Sequence, residues 1–205
     1  MASSNRSSNS APNAGIFRGR APGEVAVIGL GKSGRSVATL LARDGHLVYA
    51  SDAGSSETAR ANAAALESLG VAVDVGRHDL DRIARAALVV ASPGVPPEAP
   101  PLAAAARAGV PVVGEIEIAL HYLPGLKYIA VTGTNGKTTT TALVGHLLRA
   151  LGHDAVDAGN IGLPLAEVAL MEKRPKWVAL ELSSFQLHDT PSVSPTVGVL
   201  TNLSP

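Results

Sequence analysis

The chain contains no cysteine, which excludes disulfide bonds, thiolate-bound metals and a cysteine nucleophile. Phe, Trp and Tyr together account for only 3% of the residues, and this low content argues against a surface that binds nucleic acid by base stacking. The 17 basic residues balance the 17 acidic ones, so no net charge attracts nucleic acid or a membrane surface. No apolar run approaches the roughly 18 residues that a membrane span requires. We therefore expect a cytoplasmic protein with no nucleic-acid partner and no membrane insertion.

The composition favours a folded protein with one large domain or two small ones. Hydrophobic residues make up 46% of the 205 residues and charged residues 17%, which supports a packed core. Residues 1–22 differ, because they are rich in Ser, Asn, Arg and Pro and lack the apolar segment of a signal peptide. We predict that residues 1–22 are a disordered extension.

The most informative segment is a glycine-containing loop, Gly-Thr-Asn-Gly-Lys-Thr-Thr at 133–139. An apolar run at 128–131 precedes it, and a helical pattern over 141–151 follows it. In such a strand–turn–helix, backbone N–H groups and the helix N-terminus bind phosphates, Lys137 reaches the β- and γ-phosphates, and Thr138 binds Mg²⁺. The loop is shorter than the general pattern, since Val131 stands where that pattern has its first glycine. The alternative is a glycine turn before a helix that happens to carry a lysine.

We therefore predict that the chain binds ATP or GTP together with Mg²⁺. The candidate nucleotide-binding residues are Gly133, Thr134, Asn135, Gly136, Lys137, Thr138 and Thr139.

Two further residues fit the same site. Glu181 ends the apolar run 177–180, where a carboxylate can face the phosphate loop from a neighbouring strand and hold the metal. A helix N-cap or a surface acid is the alternative for Glu181. Asn160 lies in a predicted turn and could donate its amide N–H to a phosphate or substrate oxygen, or could simply support the turn.

A second glycine motif lies near the start of the chain. Residues 29–34 read Gly-Leu-Gly-Lys-Ser-Gly, a full G-x-G-x-x-G between an apolar run and a helical pattern, and Asp52 ends the next predicted strand. This pattern predicts a diphosphate site at a helix N-terminus, which could bind NAD or a UDP-sugar. Asp52 could contact a ribose hydroxyl or a base edge, or simply end a strand. The loop Ser92-Pro93-Gly94 follows another strand and is either a ligand-binding loop or a plain turn.

Strand and helix signals alternate along the rest of the chain, which predicts an α/β fold with parallel sheets and helices on both faces. We expect a Rossmann-like domain over 23–114, a linker over 115–127 that contains Pro124 and Gly125, and a P-loop ATPase-type domain over 128–205. The second domain looks incomplete, because the sequence stops just past a predicted strand. The expected strands are 25–28, 47–50, 71–75, 88–91, 110–113, 128–132, about 154–158, 177–181 and 197–201.

Six motifs in a fixed order resemble the Mur ligase family, and in particular its D-glutamate-adding branch. They are Gly-Leu-Gly-Lys-Ser-Gly (29–34), Ala-Ser-Pro-Gly-Val (91–95), Gly-Glu-Ile-Glu (114–117), the loop with its lead-in strand (131–139), Gly-Asn-Ile-Gly-Leu-Pro (159–164) and Glu-Leu-Ser-Ser-Phe-Gln-Leu (181–187). The resemblance implies that the first motif binds a UDP-linked substrate and not NAD.

The resemblance further implies the reaction and its partners. ATP phosphorylates the carboxylate of UDP-N-acetylmuramoyl-L-alanine, and the amine of D-glutamate displaces phosphate from the acyl phosphate, an amide-forming step of peptidoglycan synthesis. Mg²⁺ would be bound by Thr138 and Glu181, and the catalytic residues would be Lys137, Asn160 and Glu181. We expect a monomer. The implied UDP-substrate residues are Gly31, Lys32, Ser33, Asp52, Ser92, Gly94, Asn160 and Ser183.

The sequence also departs from the family pattern. It stops before the family's second magnesium-binding histidine, its carbamylated lysine and its C-terminal domain, so we expect a fragment without ligase turnover. Ala53 and Gly54 stand where relatives often carry larger polar residues near the uracil. The six histidines show no metal-ligand spacing, and each is interpreted as a surface or turn residue. The alternatives are another member of the superfamily, such as a folylpolyglutamate synthase, or an NAD-binding module fused to a triphosphate-binding domain.

Overall fold

The computed structural model describes residues 23–204, so the extension predicted for 1–22 lies outside the described residues. The first part of the chain alternates strands with helices. In order it contains β1 (Val25–Ile28), α1 (Lys32–Arg43), β2 (Val48–Asp52), α2 (Glu57–Glu67), β3 (Ala72–Val75), α3 (Leu80–Ala84), β4 (Leu88–Ala91), α4 (Pro100–Arg107) and β5 (Val112–Gly114).

The second part continues the alternation. It contains α5 (Glu115–Tyr122), β6 (Lys127–Thr132), α6 (Lys137–Ala150), β7 (Ala155–Gly159), α7 (Leu165–Leu170), β8 (Trp177–Glu181), α8 (Ser184–His188) and β9 (Val197–Leu200). Within residues 23–204, no helix has the length and apolar character needed to cross a membrane.

The strands form two sheets, and within each sheet every pair of neighbouring strands is parallel. The first sheet has the order β3-β2-β1-β4-β5 and the second the order β7-β8-β6-β9. The predicted α/β fold with parallel sheets is confirmed. Strands β1 and β4 are buried along their whole length, which is why they appear in the sequence as short unbroken apolar runs and not as alternating ones.

The order in which the chain adds strands to the first sheet reverses between β1 and β4, although all the strands run parallel. Strands β2 and β3 extend to one side of β1, whereas β4 and β5 extend to the other. Loops that leave β1 and β4 therefore diverge to opposite faces of the sheet and leave a crevice at the carboxyl ends of the strands. The same geometry places the phosphate loop after β6 between the ends of β8 and β9 in the second sheet.

The segment predicted as a linker is mostly helical. Helix α5 occupies 115–122, and its residues Glu115 to Ala119 are buried. One hydrophobic cluster contains side chains from both halves of the chain, for example Leu41 of α1, Ile118 of α5 and Leu165 of α7. The two sheets therefore share a core that passes through α5, while the domain boundaries themselves stay predictions.

The short helices α7 and α8 were also absent from the sequence prediction. Each has only five or six residues, too few for a 3.6-residue periodicity to show in the sequence. Their positions depend on tertiary contacts instead.

Candidate functional site

A cavity of about 530 Å³ lies at the carboxyl ends of β1, β2 and β4. This is the crevice expected where strand order reverses. The second half of the chain contributes Gly159 and Asn160 to its wall, so the cavity extends from one sheet to the other. Seven of the eight residues implied as UDP-substrate contacts line it, namely Gly31, Lys32, Ser33, Asp52, Ser92, Gly94 and Asn160.

The glycine loop brings the first turn of α1 against the end of β1. Gly29 has φ +95°, a conformation that glycine adopts freely. A Cβ on Gly34 would lie 1.8 Å from the carbonyl oxygen of Gly29, so only glycine permits this approach. Gly31 is the N-cap of α1 and supplies no side-chain cap. The N–H groups at this helix end are therefore available to an anion in the cavity.

Asp52 holds the glycine loop in place. Its Oδ2 accepts a hydrogen bond of 2.6 Å from the backbone N–H of Leu30, and its Oδ1 accepts one of 2.7 Å from that of Gly54. Each carboxylate oxygen has a second lone pair, so contact with a ribose hydroxyl or a base is chemically compatible with this arrangement. Asp52 thus both ends β2 and faces the cavity.

The loop after β4 forms the opposite wall. Ser92 Oγ donates a 3.3 Å hydrogen bond to the carbonyl of Gly29, which connects this loop to the glycine loop. The wall beyond it is apolar and contains Val95, Pro96 and Pro100. The plain-turn interpretation of Ser92–Gly94 is therefore incomplete, because the loop lines the cavity.

Sequence reasoning missed His78, which was interpreted as a surface or turn residue. It is half-buried in the cavity wall, and its Nδ1 lies 2.8 Å from the hydroxyl of Ser51. Burial lowers the pKa of His78, and the carboxylates of Asp52 and Asp74 oppose this shift. A signal was present in the sequence, because His78 follows β3 at the same sheet edge where Asp52 ends β2.

The phosphate loop forms the predicted turn between β6 and α6. Gly136, the N-cap of α6, has φ +80°, and Gly133 has φ +133°. Lys137 lies over the loop, where its Nζ donates to the carbonyls of Gly133 at 2.8 Å and Thr134 at 3.0 Å. Thr138 and Thr139 lie in the first turn of α6. The structure thus brings the seven candidate nucleotide-binding residues together on one loop and one helix end.

The segment after β9 supports this loop, and sequence reasoning did not identify it. The side chain of Asn202 accepts from the backbone N–H of Asn135 and donates to its carbonyl, both at 3.0 Å. Thr201 Oγ1 donates to the same carbonyl at 2.7 Å. These contacts fix the backbone of the loop at Asn135, next to the glycine that caps α6.

Glu181 ends β8 and is only 1% exposed, which removes the surface-acid interpretation. Its Oε1 accepts a 3.0 Å hydrogen bond from Asn160 Nδ2, whereas its Oε2 is buried with no partner. An unsatisfied buried carboxylate oxygen is unfavourable, and a cation would satisfy it. Among the described residues no group of three or more His, Cys, Asp or Glu side chains could hold a metal. The buried Glu181 Oε2 fits Mg²⁺, which needs only one or two protein oxygens beside phosphate oxygens and water.

Ser183 lies apart from the cavity. It is the N-cap of α8, where its Oγ accepts from the backbone N–H of Gln186 at 3.2 Å and the Gln186 side chain accepts from its backbone N–H at 3.0 Å. This reciprocal capping box uses one acceptor lone pair of the Ser183 hydroxyl. The implied substrate contact of Ser183 stays a prediction, and the structure provides a helix-capping role for it.

The architecture and the two glycine loops define a class of α/β domains built on parallel sheets, and comparison with known families identifies that class. Residues 23–114 match the model described as Mur ligase MurD-like, N-terminal domain, and residues 131–205 match the Mur ligase middle domain. The chain belongs to the Mur ligase family.

Individual relatives agree with this assignment. The chain is 44% identical over 181 residues to UDP-N-acetylmuramoylalanine–D-glutamate ligase of Frankia casuarinae, covering 88% of this chain and 38% of the relative. It is 42% identical over 182 residues to the protein of the same name from Acidobacterium capsulatum, covering 89% and 39%. The chain thus spans about two fifths of the length of these curated relatives.

Solved structures show the same architecture. UDP-N-acetylmuramate-alanine ligase MurC from Thermotoga maritima superposes with a TM-score of 0.51 at 26% identity, covering 88% of this chain and 41% of that one. UDP-N-acetylmuramate:L-alanyl-gamma-D-glutamyl-meso-diaminopimelate ligase from Neisseria meningitides gives a TM-score of 0.53 at 19% identity, covering 90% and 61%. The second likeness concerns the fold alone.

Proposed function

We propose that the chain binds a UDP-linked substrate and ATP as part of a ligase that joins D-glutamate to UDP-N-acetylmuramoyl-L-alanine in peptidoglycan synthesis. One observation carries the proposal: Asn160 lines the large cavity, and its side chain is hydrogen-bonded to Glu181 at the end of β8. A substrate in the cavity would therefore extend from the first glycine loop to the metal-binding carboxylate beside the phosphate loop.

Each end of the cavity has a distinct chemical role in this proposal. The N–H groups at the start of α1, with Lys32 and Ser33, would bind the diphosphate of the UDP group. Ser92 and Gly94 allow the substrate to pass close to the backbone of their loop. Asn160 would orient the distal part of the substrate, where the reacting carboxylate lies.

The second site would position the triphosphate. Lys137 would leave the carbonyls of its own loop and bind the β- and γ-phosphate oxygens, because a cation is stabilised more by charged oxygens than by neutral ones. Mg²⁺ held by Thr138 and Glu181 would neutralise charge on the phosphoryl group during its transfer to the carboxylate. Phosphoryl transfer depends mainly on such positioning and charge neutralisation.

The relatives support the D-glutamate-adding activity over that of a folylpolyglutamate synthase. The two described above carry the name UDP-N-acetylmuramoylalanine–D-glutamate ligase at 44% and 42% identity. The use of ATP and Mg²⁺, the D-glutamate partner, the cytoplasmic location and the monomeric state are parts of this proposal.

Calorimetric titration of the chain with UDP-N-acetylmuramoyl-L-alanine tests the proposal, with NADH as the parallel ligand. We expect the UDP compound to bind and NADH to give no heat. Gly34→Ala would disturb the fold and is unsuitable as a control variant. Lys173→Ala, on an exposed turn, is the control and should bind the UDP compound as the native chain does. Binding of NADH and not of the UDP compound would contradict the proposal and return the first glycine motif to a dinucleotide role.

A further inference from the structure

Glu115 is a buried carboxyl group that lies outside both glycine loops. It is the first residue of α5, directly after β5, and it is only 2% exposed. Its Oε1 accepts a hydrogen bond from the backbone N–H of Ala166, in the second half of the chain. Burial of a carboxyl group is unfavourable unless it is hydrogen-bonded. The contact with Ala166 therefore indicates where Glu115 acts.

The N-terminus of α7 depends on this contact. The N-cap of α7 is Pro164, which supplies no side-chain cap, and the first N–H groups of a helix have no partner within the helix. The N–H groups of Glu167 and Val168 donate to the carbonyl of Pro164, whereas that of Ala166 donates to Glu115. A helix of six residues has few internal hydrogen bonds. Glu115 thus fixes the point at which α7 begins.

The start of α7 is also the end of the loop that carries Asn160. This loop spans residues 159–164, between β7 and α7. Asn160 is held at its other end by Glu181, and the N–H of Gly159 donates to the carbonyl of Leu163 at 2.9 Å. The residues between them, Ile161 and Gly162, are exposed. The position of Asn160 is therefore set from both ends of the loop, by Glu181 at one and by Glu115 through α7 at the other.

Helix α5 connects this loop to the opposite wall of the cavity. It follows β5, which pairs with β4, the strand whose loop forms that wall. At the far end, Arg174 donates to the carbonyls of Tyr122 at 2.9 Å and Ala169 at 3.0 Å, which joins the C-terminal ends of α5 and α7. Since Glu115 joins their N-terminal ends, the two helices are attached at both ends and should move together.

We propose that Glu115 is a positioning residue, which sets the place of Asn160 in the cavity wall by fixing the start of α7. The inference rests on the proposed function, since it assumes that the distal part of a UDP-linked substrate contacts Asn160. Glu115 is absent from the lining of the large cavity. Its effect on affinity should therefore appear only for a ligand that reaches Asn160.

The test compares UDP-N-acetylmuramoyl-L-alanine with UDP, which carries the diphosphate but lacks the distal part. Both ligands are titrated calorimetrically in a Lys137→Ala background, so that the phosphate loop does not compete for the diphosphate. Glu115→Leu keeps an apolar side chain of similar size but leaves the Ala166 N–H without its acceptor. We expect this variant to bind the full substrate about fivefold more weakly, the effect of one lost neutral hydrogen bond, and UDP within about twofold of the background chain.

Three further variants make the comparison specific. Glu115→Gln keeps an acceptor oxygen and should restore the affinity for the full substrate. Glu172→Leu, at an exposed position, is the matched control and should bind both ligands as the background chain does. In an Asn160→Ala background, Glu115→Leu should cause no further loss beyond about twofold, because its effect passes through Asn160.

A variant on the other side of the contact covers the case in which Glu115→Leu does not fold. Ala166→Pro removes the donor N–H, and proline is tolerated in the first turn of a helix, as Pro100 and Pro101 are in α4. The same fivefold loss, confined to the full substrate, is expected. Failure of both variants to fold would show that the contact serves stability alone and would overturn the inference.

The remaining outcomes separate the inference from the proposed function. If Glu115→Leu binds the full substrate as well as the background chain does, the positioning role is overturned while the proposed function stands. An equal loss for both ligands, or an additive loss in the Asn160→Ala background, would also overturn the positioning role. If the folded Lys137→Ala chain binds neither ligand, the inference and the proposed function are both overturned.

Discussion

Asn160 donates two hydrogen bonds to Glu181: its backbone N–H to the Glu181 carbonyl and its Nδ2 to the Glu181 carboxylate, both at 3.0 Å. The two residues lie at the ends of neighbouring strands, since Gly159 of β7 pairs with Glu181 of β8. A residue that lines the large cavity thereby orients the carboxylate beside the phosphate loop. This contact connects the two proposed binding sites through one side chain.

Changing Asn160 to Asp should therefore destabilise the chain in a metal-dependent way. The substitution replaces an amide donor with a second carboxylate beside a buried one, which costs roughly 1–3 kcal/mol in the absence of metal. Added Mg²⁺ should recover part of this loss, because it would neutralise the paired carboxylates. Scanning calorimetry in EDTA and in Mg²⁺ measures both effects, and Asn160→Ala, which adds no charge, is the comparison. An Asn160→Asp chain whose stability equals that of the native chain in both buffers would contradict the role of Glu181.

Lys137→Ala should lower the affinity for a non-hydrolysable ATP analogue by about a hundredfold. The estimate assumes that two charge-assisted hydrogen bonds are lost, at about 1.5 kcal/mol each. Titration with Mg²⁺ and the analogue measures the effect. Lys173→Ala, on an exposed turn, is the matched control and should bind normally. Affinities within about twofold of each other for the two variants would argue against the phosphate loop.

The glycines of the first motif should differ sharply in their tolerance of alanine. A Cβ on Gly34 would lie 1.8 Å from Gly29 O and 2.8 Å from Ser92 Oγ, whereas one on Gly31 would meet nothing within 4 Å. Gly34→Ala should lose roughly 2–4 kcal/mol of unfolding free energy, and Gly31→Ala should remain close to the native chain. Denaturant unfolding of both variants measures the contrast. Equal stability would show that α1 can move away from β1 without penalty.

Glu115→Gln should stabilise the chain near and above neutral pH. Burial raises the pKa of the Glu115 carboxyl from 4.5 to about 7, and a hydrogen bond from Ala166 N–H opposes this shift. As pH rises, Glu115 therefore ionises at a lower pH in the unfolded chain than in the folded one. The stability that protonated Glu115 contributes is fully present below about pH 4.5 and is lost progressively up to about pH 7. Ionised Glu115 costs about 3 kcal/mol, whereas Gln keeps the acceptor for Ala166 without the charge.

Thermal unfolding between about pH 4.5 and about pH 8 measures the effect of Glu115→Gln. The difference in stability between variant and native chain should grow with pH and then level off. Glu172→Gln, at an exposed position, should show no such trend. A difference that is constant across the range would mean that Glu115 titrates as an ordinary carboxyl.

Ser183→Ala should reduce stability by about 1 kcal/mol, since the alanine leaves the N-terminus of α8 without its cap. The same change should leave the affinity for the UDP compound unaltered, because Ser183 is absent from the cavity lining. Ser183→Thr retains a capping hydroxyl and is the control. A loss of affinity without a loss of stability would restore the implied substrate contact.

The sequence predicted most of the fold because the relevant signals are local. Both glycine loops lie within single strand–turn–helix units, where the spacing of glycines, Lys137 and Thr138 is itself the motif. Buried parallel strands such as β4 are short continuous apolar runs, which are visible without knowledge of their neighbours. The sequence prediction missed helix α5 because Pro124 and Gly125 predict an interruption of regular structure. The residues before them nevertheless form a buried helix.

What the sequence alone determined is the chemistry of each loop, because a loop's phosphate-binding groups come from residues adjacent in the chain. What only the tertiary structure decided is which loops meet. The partnership of Asn160 with Glu181, the support of Asn135 by Asn202, and the place of His78 beside Asp52 all join residues far apart in sequence. Parallel strands bring their carboxyl ends to one edge of a sheet, and the order of those strands, set by packing of the shared core, selects the side chains that face each other there.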